Sequence, residues 1–206
     1  IFSISELMIK NDIITKSSDY KIKRSNILLA VIMSIYSKSK LNEIKRAIRS
    51  IEIQQNISCD LLLHLDGLIK TEVKQYLDQY KPKDSIKNIY ISSSRNNLGL
   101  AASMNILLLN NFSNYAFFAR HDSDDYSHKD RFKTQVNYLQ EHKEVDIVGT
   151  GYTSFDSCTE KILVESTFPN KHDLIAKAFA HSTPLAHATA MFRKSFFIKA
   201  GIYHPN

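Results

Sequence analysis

Three carboxylates fall within four residues in the run Arg120-His-Asp122-Ser-Asp124-Asp125. In extended backbone, residues two apart point the same way, so Asp122 and Asp124 face one spot. Two carboxylates a few ångströms apart repel unless one is protonated or a cation lies between them. Hard oxygen ligands suit Mn2+ or Mg2+, which bind through one or two carboxylates and complete their shell with water and substrate phosphate. The spacing describes a site for a metal and a diphosphate. An acidic turn that caps a helix starting near Ser127 is the alternative. An EF-hand is excluded, because the glycine needed at its sixth loop position is Lys129 or Ser127 here.

The surrounding elements explain why these acids matter. Ile27 to Ile35 is almost continuously apolar and β-branched, as in a strand buried on both faces of a parallel sheet. Residues 41–55 place Leu41, Ile44, Ala47, Ile48 and Ile51 at helical spacing. The pattern then repeats: strands at 60–65, 86–91 and 115–119, helices at 69–80, 98–111 and 128–142, and a fifth strand from Val145 to Tyr152. Such alternation predicts an α/β fold with right-handed βαβ units and a mostly parallel central sheet flanked by helices. Ligands of such sheets sit at the carboxyl ends of the strands. That rule selects Ser34-Ile-Tyr36, Asp66-Gly67, Ser93-Ser-Arg95-Asn-Asn97 and the acidic run, and predicts that the four segments converge. Residues 1–25 read as an N-terminal extension with a helical turn or two. Beyond 153 the pattern loosens into a smaller mixed β region: a hairpin, a helix near 171–180 and a strand near 186–192.

Composition removes other classes. The 206 residues hold five glycines, and none of them forms G-x-G-x-x-G or a P-loop. Cys59 and Cys158 make no disulfide framework and read as plain thiols in a reducing, cytoplasmic setting. No apolar run reaches the roughly 18–20 residues that span a bilayer. The net charge of +6 comes from scattered lysines. No arginine-rich run, zinc-finger spacing or RNP-like motif supports a nucleic acid partner.

Five blocks in order carry a resemblance: Val31-Ile-Met-Ser-Ile-Tyr36; Leu65-Asp-Gly67; Asn97-Leu-Gly99-Leu-Ala-Ala-Ser-Met-Asn105; Ala119-Arg-His-Asp-Ser-Asp-Asp125 with Asp130-Arg-Phe132; and His187-Ala-Thr-Ala-Met-Phe-Arg-Lys194 followed by Lys199-Ala-Gly-Ile-Tyr203. Over residues 26–206 the chain resembles family 2 glycosyltransferases with the GT-A fold, and looks closest to bacterial enzymes that build capsule, exopolysaccharide or lipopolysaccharide O-antigen. The resemblance implies an inverting transfer of a sugar from a nucleotide-diphosphate donor, UDP-linked, to an acceptor hydroxyl. It also implies a lipid-linked or other saccharide acceptor, with peripheral association at the inner face of the membrane.

Roles follow block by block from the same resemblance. Ser34 and Tyr36 would hold base and ribose, and Asp66 would accept a hydrogen bond from the uracil N3–H. Asn97 and Gly99 would lie by donor phosphate or ribose at the start of the third helix, where Asn105 is either a neighbour of the donor or a structural hydrogen-bonder. Asp124 would be the direct metal ligand and Asp122 would contact ribose or metal-bound water, with Ser123 in the same donor-binding group. Arg95 and Arg131 would face the diphosphate or sit in salt bridges. His121 reads as a satisfied strand histidine or a tuner of the acids, and His187 as a neighbour of the metal or a core residue. The family's general base lies in a Glu-Asp block past the Ala200-Gly-Ile-Tyr203 segment, so it is expected beyond Asn206 and the domain is expected to be C-terminally incomplete. Glu165 and Asp173 lack that context.

Rival readings fit less well. A haloacid dehalogenase would need Thr or Val where Tyr126 stands, and a sugar nucleotidyltransferase would need a Gly-rich loop where Ser37-Lys-Ser-Lys40 stands. A non-catalytic domain that binds a nucleotide sugar, lacking the base, is the remaining alternative.

Overall fold

A computed structural model describes residues 13–15 (backbone only), 28–156 and 159–204. Cys158 and most of the N-terminal extension lie outside the described residues. In chain order the elements are β1 (Ile13–Thr15), β2 (Leu29–Tyr36), α1 (Leu41–Glu52), β3 (Cys59–Asp66), α2 (Thr71–Gln79), β4 (Ile86–Ser94), α3 (Leu100–Asn111), β5 (Phe117–Arg120) and α4 (Arg131–Glu141). There follow β6 (Ile147–Val148), β7 (Tyr152–Phe155), β8 (Ile162–Ser166), α5 (His172–Ala178), a 3-10 turn (His187–Thr189), β9 (Met191–Arg193) and α6 (Lys194–Ala200). The main sheet runs β1-β4-β3-β2-β5-β9-β6, and β7-β8 forms a separate pair. β4, β3, β2 and β5 are mutually parallel; β1, β9 and β6 pair antiparallel.

The unbroken apolar character of β2 follows from burial on both faces. Val31, Met33 and Ile35 pack with Ile44, Ala47, Ile48 and Ile51 of α1 and Phe132, Val136 and Leu139 of α4. Ala30 and Ile32 turn the other way, with Leu62 and Phe118, onto Met104, Leu107 and Leu108 of α3.

Three expectations change. The helical turns expected in the N-terminal extension give way, at Ile13–Thr15, to a strand on the open edge of β4. Three β-branched residues beside unpaired edge groups favour that outcome. The single strand expected over Val145–Tyr152 is two, because the chain breaks out of the main sheet at Gly149–Gly151. Thr189 Oγ1 accepts the Thr150 N–H at 3.0 Å, and a Cβ at Gly151 would stand 2.6 Å from the Ser166 carbonyl oxygen. The strand expected near 186–192 is shorter and runs antiparallel as β9.

Candidate donor site at the carboxyl rim of the sheet

β2, β3 and β4 end level with one another: Tyr36 stands opposite Asp66, and Asp66 opposite Ser94. β5 stops short, with Arg120 opposite Ile32 and the His121 N–H bonded to the Ile32 carbonyl. The acidic run therefore climbs beside β2 as a loop and arrives at the same rim. There the Ser123 hydroxyl lies 3.2 Å from that of Ser39, which in turn accepts the Tyr36 N–H at 3.2 Å. The four segments do converge.

Asp66 closes the centre of the rim. It is 3% exposed, and its two carboxylate oxygens accept the N–H groups of Leu98 at 2.6 Å and Gly99 at 3.0 Å. A carboxylate suits a helix N-terminus. Here it takes the two amides just ahead of α3, those of Leu98 and Gly99, and so fixes the approach to the start of that helix beside Asn97. Asn97 itself is exposed and its side-chain amide reaches the Asp66 carbonyl at 3.5 Å. Gly67 must be glycine: φ is +84°, and a Cβ would meet the Asn97 nitrogen at 2.9 Å. Beneath Asp66, His64 is fully buried between the hydroxyls of Ser92 (2.9 Å) and Ser94 (3.2 Å). Burial lowers its pKa to about 4, so it is neutral at pH 7.

Ser34 and Tyr36 point to the α3 side of β2, with Ala30 and Ile32, and Tyr36 is 44% exposed at the rim. Arg95 is exposed in the loop after β4. Ser123 is buried against Ser39 and anchors the acidic loop under the rim.

The acids are held unequally. Asp122 accepts a charge-assisted bond from Arg120, whose guanidinium is buried at 1% side-chain exposure and also donates to the His121 carbonyl. Asp124 and Asp125 are exposed. Among the described residues no hydrogen bond is made to the Asp124 carboxylate. Desolvation and the adjacent charges of Asp122 and Asp124 hold the Asp125 carboxyl above the usual carboxylate range. That crowding is what a cation would relieve.

Arg131 does not face the rim. Its guanidinium donates to the carbonyls of Arg120 (2.8 Å) and Ala188 (3.1 Å) and to the hydroxyl of Ser127 (2.9 Å). Burial lowers its pKa to about 10. With every arm on the protein, it ties α4 to the acidic loop and to the late turn, not to a diphosphate. His121 is the satisfied strand histidine: Nδ1 bonds the Asp122 carbonyl at 2.7 Å, and burial, then Arg131, lowers its pKa to about 3. His187 is half-buried, with the Tyr203 hydroxyl 2.9 Å from Nε2, and lies near enough to Arg120 and Asp122 for both charges to act on it. Asn105 is the structural hydrogen-bonder, clamping the Tyr203 backbone by Nδ2 to its carbonyl (2.8 Å) and by Oδ1 from its N–H (2.9 Å).

The family model for glycosyl transferase family 2 matches residues 30–201. The chain belongs to glycosyltransferase family 2. An uncharacterized glycosyltransferase of Haemophilus influenzae is 26% identical over 84% of this chain and 63% of its own length. The amylovoran biosynthesis glycosyltransferase AmsE of Erwinia amylovora is 27% identical over 85% of this chain and 64% of its own. The chain thus spans less than two thirds of these relatives. Among solved structures, S. aureus TarS 1–349 in complex with UDP-GlcNAc superposes with a TM-score of 0.65 at 18% identity, over 87% of this chain and 49% of that one. The mannosyltransferase PcManGT of Pyrobaculum calidifontis, in complex with GDP-Man and Mn2+, gives 0.60 at 14% identity over 86% and 48%. At such identities the likeness establishes the fold, which is GT-A.

For a family 2 glycosyltransferase domain, the donor set at this rim suits a hard divalent ion that keeps most of its shell for water and phosphate. Among the described residues no group of three or more His, Cys, Asp or Glu is placed to enclose a metal. Asp124, with Asp122 beside it, offers the one or two carboxylates that Mg2+ or Mn2+ uses when a substrate phosphate completes the shell. No general base is assigned: Glu165 and Asp173 are both exposed on β8 and α5. Among the described residues no helix is long and apolar enough to cross a membrane.

Sequence reasoning passed over the residues that build the loop. Ser50 Oγ of α1 accepts the Ser127 N–H at 3.0 Å. Gln54 donates to the His128 carbonyl at 2.8 Å and accepts the Phe132 N–H at 3.0 Å. The signal was present. Ser50 on the buried face of α1 and Gln54 just past its end are polar residues beside Ile44, Ala47, Ile48 and Ile51, and a buried polar group requires a partner.

Proposed function

We propose that this domain binds a nucleotide-diphosphate sugar, UDP-linked, at the carboxyl rim of β2, β3 and β4. There it transfers the sugar with inversion to an acceptor hydroxyl in bacterial surface polysaccharide synthesis. One observation carries the reading: the acidic loop is fastened to the turn that ends β2, so Asp122 and Asp124 share a rim with Ser34, Tyr36 and Asp66. Tyr36 and Ser34 line the base and ribose, and Asp66 holds the β3 and α3 ends together around them. Arg120 keeps the Asp122 carboxylate aimed at the ribose. Asp124 offers its free carboxylate to Mn2+ or Mg2+ at the diphosphate. When bound, that ion supplies stabilisation of the charge that develops on the leaving nucleoside diphosphate. The TarS and PcManGT complexes, with UDP-GlcNAc and with GDP-Man and Mn2+, support a nucleotide sugar and a divalent ion. AmsE, named for amylovoran biosynthesis, supports a polysaccharide product. The acceptor is proposed to be a saccharide, lipid-linked, with the domain at the inner face of the membrane.

Calorimetry of UDP with and without Mn2+ tests the site. Binding should require Mn2+, and Asp124→Ala should remove at least about tenfold of affinity, on the order of 1.4 kcal/mol. Binding that ignores both metal and substitution would overturn the reading.

A further inference from the structure

The three exposed residues at the crest of the acidic loop are Asp124, Asp125 and Tyr126, and both flanks of that crest are fastened from below. Ser123 is fixed by Ser39, and Ser127 by Ser50. Between those anchors a side chain of α1 reaches the crest. Arg46 of α1 donates from Nη2 to the Asp124 carbonyl at 3.3 Å. Its guanidinium carbon lies 5.2 Å from the Tyr126 ring centroid and 5.0 Å from that of Phe155. The two rings are themselves 5.2 Å apart at 50°, so the guanidinium and the two rings form one cluster. The Arg46 Nε is buried with no partner among the described residues. Phe155 belongs to β7, so the cluster also joins the second sheet to the crest.

We propose that Arg46, seated against Tyr126 and Phe155, is a positioning residue. It fixes the Asp124 backbone, and through it the direction of the Asp124 carboxylate, before any ion arrives. The inference rests on the metal–donor reading of the rim, and goes beyond it by assigning the preorganisation to α1 and the β7 hairpin. A lysine cannot replace the arginine, because an ammonium lacks both the flat face that stacks on a ring and the fork that reaches a carbonyl at the same time.

Two measurements test this separately. Hydrogen exchange reads the crest itself. Arg46→Met, and to a smaller degree Phe155→Leu, should speed exchange of the amides at 124–126 severalfold while those of β2 and β3 stay unchanged. Equal exchange in Arg46→Met and the parent would overturn the proposal whatever the ligand behaviour. Calorimetry of UDP over a Mn2+ titration reads the consequence. Arg46→Lys and Arg46→Met should raise the Mn2+ midpoint about tenfold, with UDP affinity restored at saturating Mn2+; Lys45→Gln, one residue along the helix, should not. Variants that weaken UDP equally at every Mn2+ concentration, or track only a lower Tm, would show a merely structural arginine and overturn it. If the parent shows no Mn2+-dependent binding, the donor reading fails, and the exchange result decides the fate of the arginine alone.

Discussion

The rim strands and the β7–β8 hairpin with α5 are built from similar apolar residues but are held in opposite ways. In β2 and β3 nearly every side chain is buried, with Val31, Ile32, Leu61 and Leu62 all at 0% exposure. In the hairpin, Ile162, Leu163 and Val164 stand 57%, 60% and 52% exposed, and α5 buries none of its residues. The rim also carries its polar groups in closed pairs: Asp66 on two amides, His64 on two hydroxyls, Asn105 on the Tyr203 backbone. Buried polar groups held this way rigidify a site and cost little to order when a ligand binds. The hairpin meets the site at Phe155, whose ring lies against Arg46 and Tyr126. A binding surface preformed on one side and lightly tethered on the other is the lesson of the contrast.

The contrast is sharpest in stability. Leu62→Ala, in the centre of the sheet, should cost about 2–5 kcal/mol in urea denaturation. Leu163→Ala in the hairpin should stay within about 0.5 kcal/mol. Equal costs would break the comparison.

Acid should act next, and on the rim alone. His64 has an ordinary pKa of 6.5 when unfolded and about 4 when folded, because burial resists its charge, with Asp66 opposing weakly. Its contribution is intact above pH 6.5 and is lost as pH falls below it, since only the unfolded chain then takes the proton. Between pH 6.5 and pH 5 the loss should be roughly 2 kcal/mol, at about 1.4 kcal/mol per pH unit. His64→Gln should remove the share of that loss due to His64 and leave the shares of His121 and His187, which burial also holds neutral. An unchanged profile would mean that His64 is not the group titrating.

The smallest effect compares two glycines. Gly67 and Gly201 share φ near +84°, but only Gly67 would press a Cβ on backbone, at Asn97. Gly201→Ala should cost on the order of 1–3 kcal/mol, because φ of 83° with ψ of −177° is a conformation essentially restricted to glycine. Gly67→Ala should cost more and weaken UDP binding as well, read by melting and calorimetry. A Gly67 variant no worse than Gly201→Ala would show that the Asn97 loop yields freely.

Much of the framework was legible because burial on both faces leaves a signature. The β-branched run of β2 and the apolar run of β3, each followed by helical spacing, are what a parallel sheet demands. The strand ends then marked Ser34, Tyr36, Asp66 and the acidic loop with no further information. The break at Gly149–Gly151 was missed, because Val145–Tyr152 reads as one strand and it is Thr189, some forty residues on, that captures Thr150. Arg131 could not be decided from the sequence for the same kind of reason. An arginine beside an acidic run looks like a phosphate ligand until the carbonyls of Arg120 and Ala188 are seen to claim it.

Local order in the chain was sufficient for what depends on near neighbours: which segments are strands, which face of each helix is apolar, and which short loops gather at one edge. Periodicity and backbone preference act over a few residues, and so they are written in the amino acids. Tertiary structure alone decided which polar groups remained available there. Asp66 was drawn to the start of α3, Arg120 to Asp122, and Arg46 to a carbonyl 78 residues away. Partner choice for a buried or half-buried donor depends on the lowest-cost way to satisfy it in three dimensions, and no spacing rule records that choice.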